Sequence, residues 1–456
     1  MEFQFGYDDF ISLDLFYFDS TNHDFIKNNI YPIYENSQRI ILGINENSNL
    51  DFLRNIESNL EKEIIKLKVK NKYNRLDLSS ASNLLNWIIE YATKLEASDI
   101  HIEPFEKYVR IRYRIDGELS EIIRISYDAY NLIINRIKLL ANMDIAEKRL
   151  PLDGKIIWEI EGIKYDLRIS TVPTYYAEKM VIRILYRNNA FIEKNEIGML
   201  KEHLEILNRA LKRKRGVILI TGPTGSGKST TLYSILTMLN KESLNILTIE
   251  DPVEYIIEGI NQINVNYKVD LNFSNGLRAI LRQDPDVIMI GEIRDKETAE
   301  IAIRAGVTGH LVLSTFHTND CFSTITRLLD MGIEPFLIGA SLNLIISQRL
   351  VRTICPYCKE KYYPSEFEKS FLEIDDGIFK GKGCSRCNYT GYKGRTGIFE
   401  VLEINEKHRE IIMKDFNEDR IRKLNDFKTL KEHCRILVKK GVTTFEEYMK
   451  VSYLFM

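Results

Sequence analysis

The stretch TGPTGSGKSTT at 221–231 decides the fold. Gly222, Gly227, Lys228 and Ser229 satisfy the spacing G-x-x-x-x-G-K-[ST], a loop that cradles phosphate. An apolar run, VILIT at 217–221, leads into it and reads as a buried strand. The segment STTLYSILTMLN at 229–240 follows it and reads as a helix. That context is what the chemistry requires: glycines let backbone N–H groups turn toward the phosphates, and the helix N-terminus adds a favourable dipole. A chance glycine–serine turn would lack the strand and the helix. The expected nucleotide contacts are Gly222, Pro223, Thr224, Gly225, Ser226, Gly227, Lys228, Ser229 and Thr230. Lys228 is expected on the β- and γ-phosphates of ATP, and the Ser229 hydroxyl on Mg²⁺.

Working outward, residues 200–350 alternate near-continuous apolar runs (GVILITG, LNILTIED, DVIMIGE, HLVLST) with helical segments. Such runs fit a parallel sheet covered on both faces, and so an α/β domain. In these sheets the carboxyl ends of the strands form the ligand crevice. DVIMIGEIRD ends with Gly291, where an Asp is common, followed by Glu292, which would polarise water or hold Mg²⁺ through water. The competing reading is an ordinary carboxylate at a strand end. TIEDPVEY at 248–255 brings Glu250 and Asp251 to the same rim. GHLVLSTFHTND at 309–320 frames a strand with His310 and His317, read either as nucleotide-sensing contacts or as satisfied structural histidines.

Six cysteines occur, at 321, 355, 358, 384, 387 and 434. CPYC and CSRC, separated by 25 residues, pair Cys355 and Cys358 with Cys384 and Cys387. Two thiolate pairs close a tetrahedral Zn²⁺ site; a dithiol redox site needs only one pair. Cys321 and Cys434 lie outside this set and read as packed helix residues.

Before residue 200 the texture differs. Residues 1–72 alternate short apolar runs with polar turns, as in a small α/β module, and KVKNKYNRLD forms a charged join. Residues 73–190 read as an α+β domain: a helix and strand over 79–104, a hairpin at YVRIRYRIDGEL, a long helix over about 126–147, and more hairpin in 151–174. NNAFIEKNEIGML at 188–200 reads as a linker, 351–400 as the metal module, and 401–456 as a helical tail. Lys and Arg total 63 against 65 Asp and Glu, a net charge of -2, with no basic face or tail to mark a nucleic-acid binder. No apolar run approaches the roughly 20 residues that span a bilayer, and the acidic start does not resemble a signal peptide. A cytoplasmic location is the expectation.

Together these motifs resemble the secretion ATPases of the type II secretion and type IV pilus assembly class. The resemblance covers about 75–455. It rests on ASDIHIEP, RLPLDGKI, RISTVPT, the phosphate loop, TIEDPVEY, GLRAILRQDPDVIMIGEIRD, AGVTGHLVLSTFHTND, the four cysteines and TGYKGRTGIFEVL, in the family's order. It implies a RecA-like ATPase domain in a cytoplasmic homohexamer, peripherally attached to the inner face of the cytoplasmic membrane. There, hydrolysis pushes on an inner-membrane platform protein and adds pilin-like subunits to a filament. Arg168 and Arg183 match the arginines of the preceding domain that complete the nucleotide site, and Arg278 and Arg282 match those ahead of the acidic strand. Glu250 and Glu292 fill the general-base and metal-linked roles, in an order the resemblance leaves open. Relatives dock on the platform, or on a cytoplasmic-side adaptor, through the module matching 1–72. Retraction motors of the class are shorter and lack both that module and the four cysteines, which favours assembly. Ala177 stands where the family has Gly. The rival readings are a RecA-like nucleic-acid translocase and a nucleotide-sensing scaffold without catalysis; nucleic acid is not an expected partner.

Overall fold

The computed structural model describes residues 78–186 and 197–453, except 375, 415, 425 and 426. Before these it describes the strands at 11–12, 30–35, 39–44 and 63–70 and residues 49, 51 and 53. The remainder of the expected module 1–72, the charged join from 71 to 77 and most of the expected linker lie outside the described residues. The chain divides into two compact units, Met1–Asn188 with Gly383–Thr390, and Asn189–Lys382 with Gly391–Met456.

The first unit begins with a four-stranded sheet of β1 (Ile11–Ser12), β2 (Ile30–Glu35), β3 (Arg39–Ile44) and β4 (Glu63–Lys70), in the order β1-β4-β3-β2. There follow α1 (Leu78–Lys94), β5 (Asp99–Pro104), β6 (Val109–Ile115), β7 (Glu118–Ile125), α2 (Tyr127–Leu140), β8 (Leu152–Ile160), β9 (Ile163–Pro173) and β10 (Glu178–Tyr186). β5–β10 form an antiparallel sheet in the order β7-β6-β5-β10-β9-β8. In β6, Val109, Ile111 and Tyr113 are buried while Arg110, Arg112 and Arg114 take the opposite face, the period of two expected when one face of a sheet is covered. Trp87, Ile88 and Tyr91 of α1 and Tyr130, Ile133 and Ile137 of α2 join the buried face in one core. The expected hairpin turns at Asp116 and Gly117, both at positive φ (49° and 90°) as a tight two-residue loop requires.

α2 is shorter than expected: it ends at Leu140, not near 147. Asn142 turns left-handed (φ 54°), and the fully buried Lys138 donates to the Glu147 carbonyl at 2.7 Å while pairing with Glu178 at 2.6 Å. That buried cation folds 141–150 back across the helix end, a constraint from β10 that local periodicity does not carry.

The second unit runs α3 (Lys201–Lys212), β11 (Gly216–Thr221), α4 (Lys228–Leu239), β12 (Ile246–Glu250), β13 (Asn261–Asn264), α5 (Phe273–Ile280), β14 (Val287–Ile290), α6 (Lys296–Thr308), β15 (Leu311–Phe316), α7 (Cys321–Asp330), α8 (Pro335–Ser341) and β16 (Leu342–Ile354). Then come β17 (Lys359–Tyr362), α9 (Glu366–Leu372), β18 (Ile378–Gly381), β19 (Tyr392–Glu403), α10 (Glu406–Lys414), α11 (Glu418–Lys423), α12 (Leu430–Lys439) and α13 (Phe445–Tyr453). The sheet order is β13-β12-β14-β15-β11-β16-β19, parallel except for the β19 edge. Every residue of β11, β12, β14 and β15 is buried. Val217, Leu219, Ile288 and Val312 pack with Ala299 and Ile303 of α6; Ile218, Ile220, Met289 and Leu313 pack with Leu232, Ile235 and Leu236 of α4. Two apolar faces explain runs without alternation.

Candidate active site and metal centre

β11 stops at Thr221 and α4 starts at Lys228, so the loop between them stands at the carboxyl rim of the sheet. Gly222 (φ 149°) and Gly227 (φ 86°) take conformations that L side chains rarely adopt. A Cβ on Gly222 would come 2.4 Å from the Gln348 carbonyl oxygen, and one on Gly227 2.8 Å from the Gln348 Nε2. Both glycines are therefore forced by β16 alongside as well as by the turn. Thr224, Gly225, Ser229 and Thr230 are exposed, Pro223 is partly buried, and Ser226 is buried with its Oγ unpartnered. Lys228 is buried, and its Nζ donates to the Gly222 and Pro223 carbonyls at 2.7 and 3.0 Å. Burial, reinforced by the charge of Arg349 and opposed by that of Glu292, brings the Lys228 pKa down to about 8. An ammonium desolvated among backbone carbonyls, with an orphan hydroxyl beside it, fits a polyphosphate anion.

The two glutamates occupy different chemical positions. Glu250 is buried, and its carboxylate accepts hydrogen bonds from Tyr233 Oη, Thr248 Oγ1 (2.6 Å) and Gln262 Nε2 (3.2 Å). Three donors from α4, β12 and β13 engage both of its oxygens. Glu292, just past β14, pairs with Arg294 and with His317 Nε2 at 3.1 Å. Burial pushes the Glu292 carboxyl up, but the Arg294 guanidinium and His317 outweigh it and hold it below the ordinary carboxylate value. It is thus an anion on the rim that also holds Lys228.

His317 lies just past β15, where Thr318 ties its loop to the phosphate loop: Thr221 Oγ1 donates to the Thr318 carbonyl at 2.8 Å. His310 stands at the other end. It precedes β15, its carbonyl accepts from Gly216 N at the start of β11, and its Nδ1 lies 3.1 Å from the Ala305 oxygen. The full length of β15 separates it from the rim, so it closes α6 and is not a nucleotide contact within the chain. Arg278 and Arg282 are exposed on and just after α5; Arg278 pairs with Glu297 at 2.6 Å, and Arg282 Nη1 donates to the Arg278 carbonyl at 2.9 Å. In the first unit, Lys155, Arg168, Arg183 and Asp99 lie in register across β8, β9, β10 and β5. Arg183 Nε donates to Asp99 Oδ1 at 3.1 Å. Since Leu167 and Ile169 are buried, this row occupies the face away from the helices.

The four Sγ atoms of Cys355, Cys358, Cys384 and Cys387 lie within 4.8 Å of one another. Cys384 Sγ and Cys387 Sγ are 3.7 Å apart, against about 3.8 Å for thiolates bound tetrahedrally at about 2.3 Å from zinc. Each pair sits on a tight turn, closed by Cys358 N to the Cys355 oxygen and Cys387 N to the Cys384 oxygen. Cys384 N also donates to Cys387 Sγ at 3.2 Å, the outer support a thiolate ligand requires. The donor set fits a closed four-sulfur metal site. Cys321 and Cys434 are buried; burial pushes the Cys321 thiol well up and Cys434 to about 12. Both are inert packing residues.

A family model described as "Type II/IV secretion system protein" matches residues 74–450. The chain belongs to this family. It is 48% identical over 380 residues to "Type II secretion system protein E" of Aeromonas hydrophila, covering 81% of this chain and 75% of that one. It is 46% identical over 375 residues, with the same coverage, to "Type II secretion system ATPase E" of Vibrio cholerae. Among solved structures it is similar to the pilus retraction motor PilT with bound ADP (30% identity, TM-score 0.55, covering 80% and 96% of the two chains). The Legionella pneumophila ATPase DotB shares the fold at 23% identity and TM-score 0.61, covering 81% and 95%.

As a member of this family the chain is an ATPase, and the residues its motifs did not mark are those that hold the marked ones. Tyr233 donates to Glu250 and accepts from Glu254 N at 3.2 Å, and its ring meets that of Tyr255 edge-on. Gln262 bonds Glu250, the Tyr255 carbonyl and Ile257 N, which fixes the loop after β12. In the sequence Tyr233 is one more apolar helix position and Gln262 one more polar strand residue; no spacing singles them out. Among the described residues no helix is long and apolar enough to cross a membrane.

Proposed function

We propose that this secretion-family ATPase works as a cytoplasmic homohexamer at the inner face of the cytoplasmic membrane. There it powers assembly of a type IV pilus or type II secretion pseudopilus through an inner-membrane platform protein. The observation that carries the reading is the family match over 74–450 together with a phosphate loop and an ionised Glu292 on one rim. The four cysteines support assembly over retraction. Residues 1–72 are assigned to docking on the platform or an adaptor, 73–190 to completing the nucleotide site, 200–350 to hydrolysis, 351–400 to the metal module and 401–456 to the helical tail.

In this mechanism the backbone N–H groups of the loop 222–230 (Pro223 has none) bind the phosphates of ATP and Lys228 neutralises them; Ser229 would hold Mg²⁺, which would supply charge stabilisation to the terminal phosphate. Glu292, steadied by His317 and Arg294, orients the attacking water; Glu250, enclosed by Tyr233, Thr248 and Gln262, keeps the adjoining loop in place. Glu292→Gln should retain ATP binding and slow turnover on the order of 10²-fold. Near wild-type turnover in that variant would move the general base to Glu250. To test the partner, ATPase rate is measured with the platform's cytoplasmic domain and, separately, with duplex DNA over a salt series. Stimulation by the platform domain is expected; DNA stimulation falling steeply with salt would mark a translocase.

Zn²⁺ is assigned to Cys355, Cys358, Cys384 and Cys387, where it would clip the ends of the 359–383 segment. That segment reads as too polar for a core, yet Leu372 and Ile378 are fully buried against Leu430, Val438 and Tyr448 of α12 and α13. Its few apolar residues find partners on the tail, so loss of the metal should loosen the module without unfolding the ATPase core. Metal analysis of purified protein should find about one zinc per chain, lost in Cys355→Ser with ATP binding retained. A metal-free, fully folded wild type would sink the assignment.

A further inference from the structure

β16 continues past the end of β11: Thr221 pairs with Ser347, so Gln348, Arg349 and Leu350 run beside the phosphate loop. Gln348 accepts from Thr231 Oγ1 of α4 at 2.8 Å, and Leu350 Cδ2 lies 3.5 Å from where a Gly227 Cβ would stand. Arg349, partly buried between them, donates from Nη2 to Asn319 Oδ1 at 3.1 Å, two residues beyond His317. That is a weak use of a guanidinium. Its Nε is buried without a partner, and among the described residues no carboxylate pairs with it. The nearby anion of the rim, Glu292, is engaged by Arg294 and His317. Its charge is felt at Lys228, another cation, whose pKa it helps burial to lower against the larger opposing pull of Glu292. Two desolvated cations whose one nearby anion, Glu292, is already shared with Arg294 and His317 disfavour the unliganded protein and favour a polyanion that serves both.

We propose that Arg349 is a second cation of the phosphate site, supplied by the same chain as Lys228, which takes a non-bridging oxygen of the bound polyphosphate while Asn319 holds its other edge. The proposal rests on the phosphate-loop reading and adds to it a residue on a different strand. A planar fork suits this geometry: one edge stays on a neutral amide while Nε and the remaining N–H groups face the ligand.

The alternative is an anchor that merely holds the Asn319 loop, and the two differ in sign. The full-length wild type, Arg349→Gln, Arg349→Lys and Lys228→Ala are compared by thermal unfolding without ligand and by titration with magnesium pyrophosphate. For Arg349→Gln a pyrophosphate Kd weakened on the order of tenfold is expected, with an unliganded Tm at or above that of the wild type because a cation repulsion is removed. Arg349→Lys should recover part of the affinity. A pyrophosphate Kd in Arg349→Gln within about threefold of wild type overturns the proposal. So does weakened binding accompanied by a lower unliganded Tm, which assigns Arg349 to anchoring. If Lys228→Ala binds pyrophosphate as the wild type does, the phosphate-loop reading falls and the proposal with it; if only Arg349→Gln does, the proposal alone falls.

Discussion

Lys228→Ala should remove ATP turnover, by roughly 10³-fold or more, and leave the fold intact. The loss is large because the ammonium is the one charge placed inside the loop, where it meets the transferring phosphoryl group with little water to screen it. The fold should survive because the lysine's partners are two loop carbonyls, and its burial works against the charged form instead of stabilising the protein. Circular dichroism and Tm near wild type, with phosphate release at background, is the expected pair of results. A pH signature accompanies it. Without ligand the Lys228 pKa is about 8; a bound phosphate raises it, so nucleotide binding takes up a proton in that region. The affinity of wild type for ADP should therefore fall as pH rises above about 8, and that fall should be absent in Lys228→Ala. Turnover that persists in Lys228→Ala would place hydrolysis outside this loop.

Replacing Arg168 or Arg183 should cut turnover by roughly 10³-fold while ADP affinity changes little, as for an arginine that meets charge only in the transition state. The prediction rests on the proposed hexamer, in which the first unit completes a nucleotide site. The first unit carries a row of cations, Lys155, Arg168 and Arg183, with Asp99 at its end accepting from the Arg183 Nε. Arg183→Lys should not fully rescue, since an ammonium lacks the planar fork that keeps one edge on Asp99 while the other faces a phosphate oxygen. The measurement is single-turnover hydrolysis beside ADP titration on the assembled protein. Loss of ADP and ATP affinity together, or no change at all, would remove these residues from the charge-completing role.

Much of the site was legible because it is local in the chain. The phosphate loop requires six consecutive positions between one strand and one helix, and each cysteine pair lies within four residues, so spacing alone brings these side chains together. The buried strands of the second unit were legible for a similar reason: a sheet covered on both faces leaves no alternation, and GVILIT, VIMI and LVLSTF show none. Histidines were harder. His310 and His317 flank one strand and look equivalent in sequence, yet a parallel strand delivers only its carboxyl end to the ligand rim, and only His317 reaches Glu292.

By itself the sequence determined the strands and helices around the phosphate loop, their order, and which four cysteines form a set that could hold a metal, because propensity, periodicity and short spacings act over a few residues. The end of α2 and the place of β19 in the main sheet came only with the fold. Only the tertiary structure decided what the charged groups face. Glu250 and Glu292 both end strands, but α4 and β13 close three donors around Glu250, whereas the loops after β14 and β15 leave Glu292 with a guanidinium and an imidazole. Arg349 is likewise an ordinary strand residue until β16 is laid beside β11 and its charge meets Lys228. Electrostatic energy depends on distance and desolvation through space, and a chain separated by more than a hundred residues carries neither until the sheet is assembled.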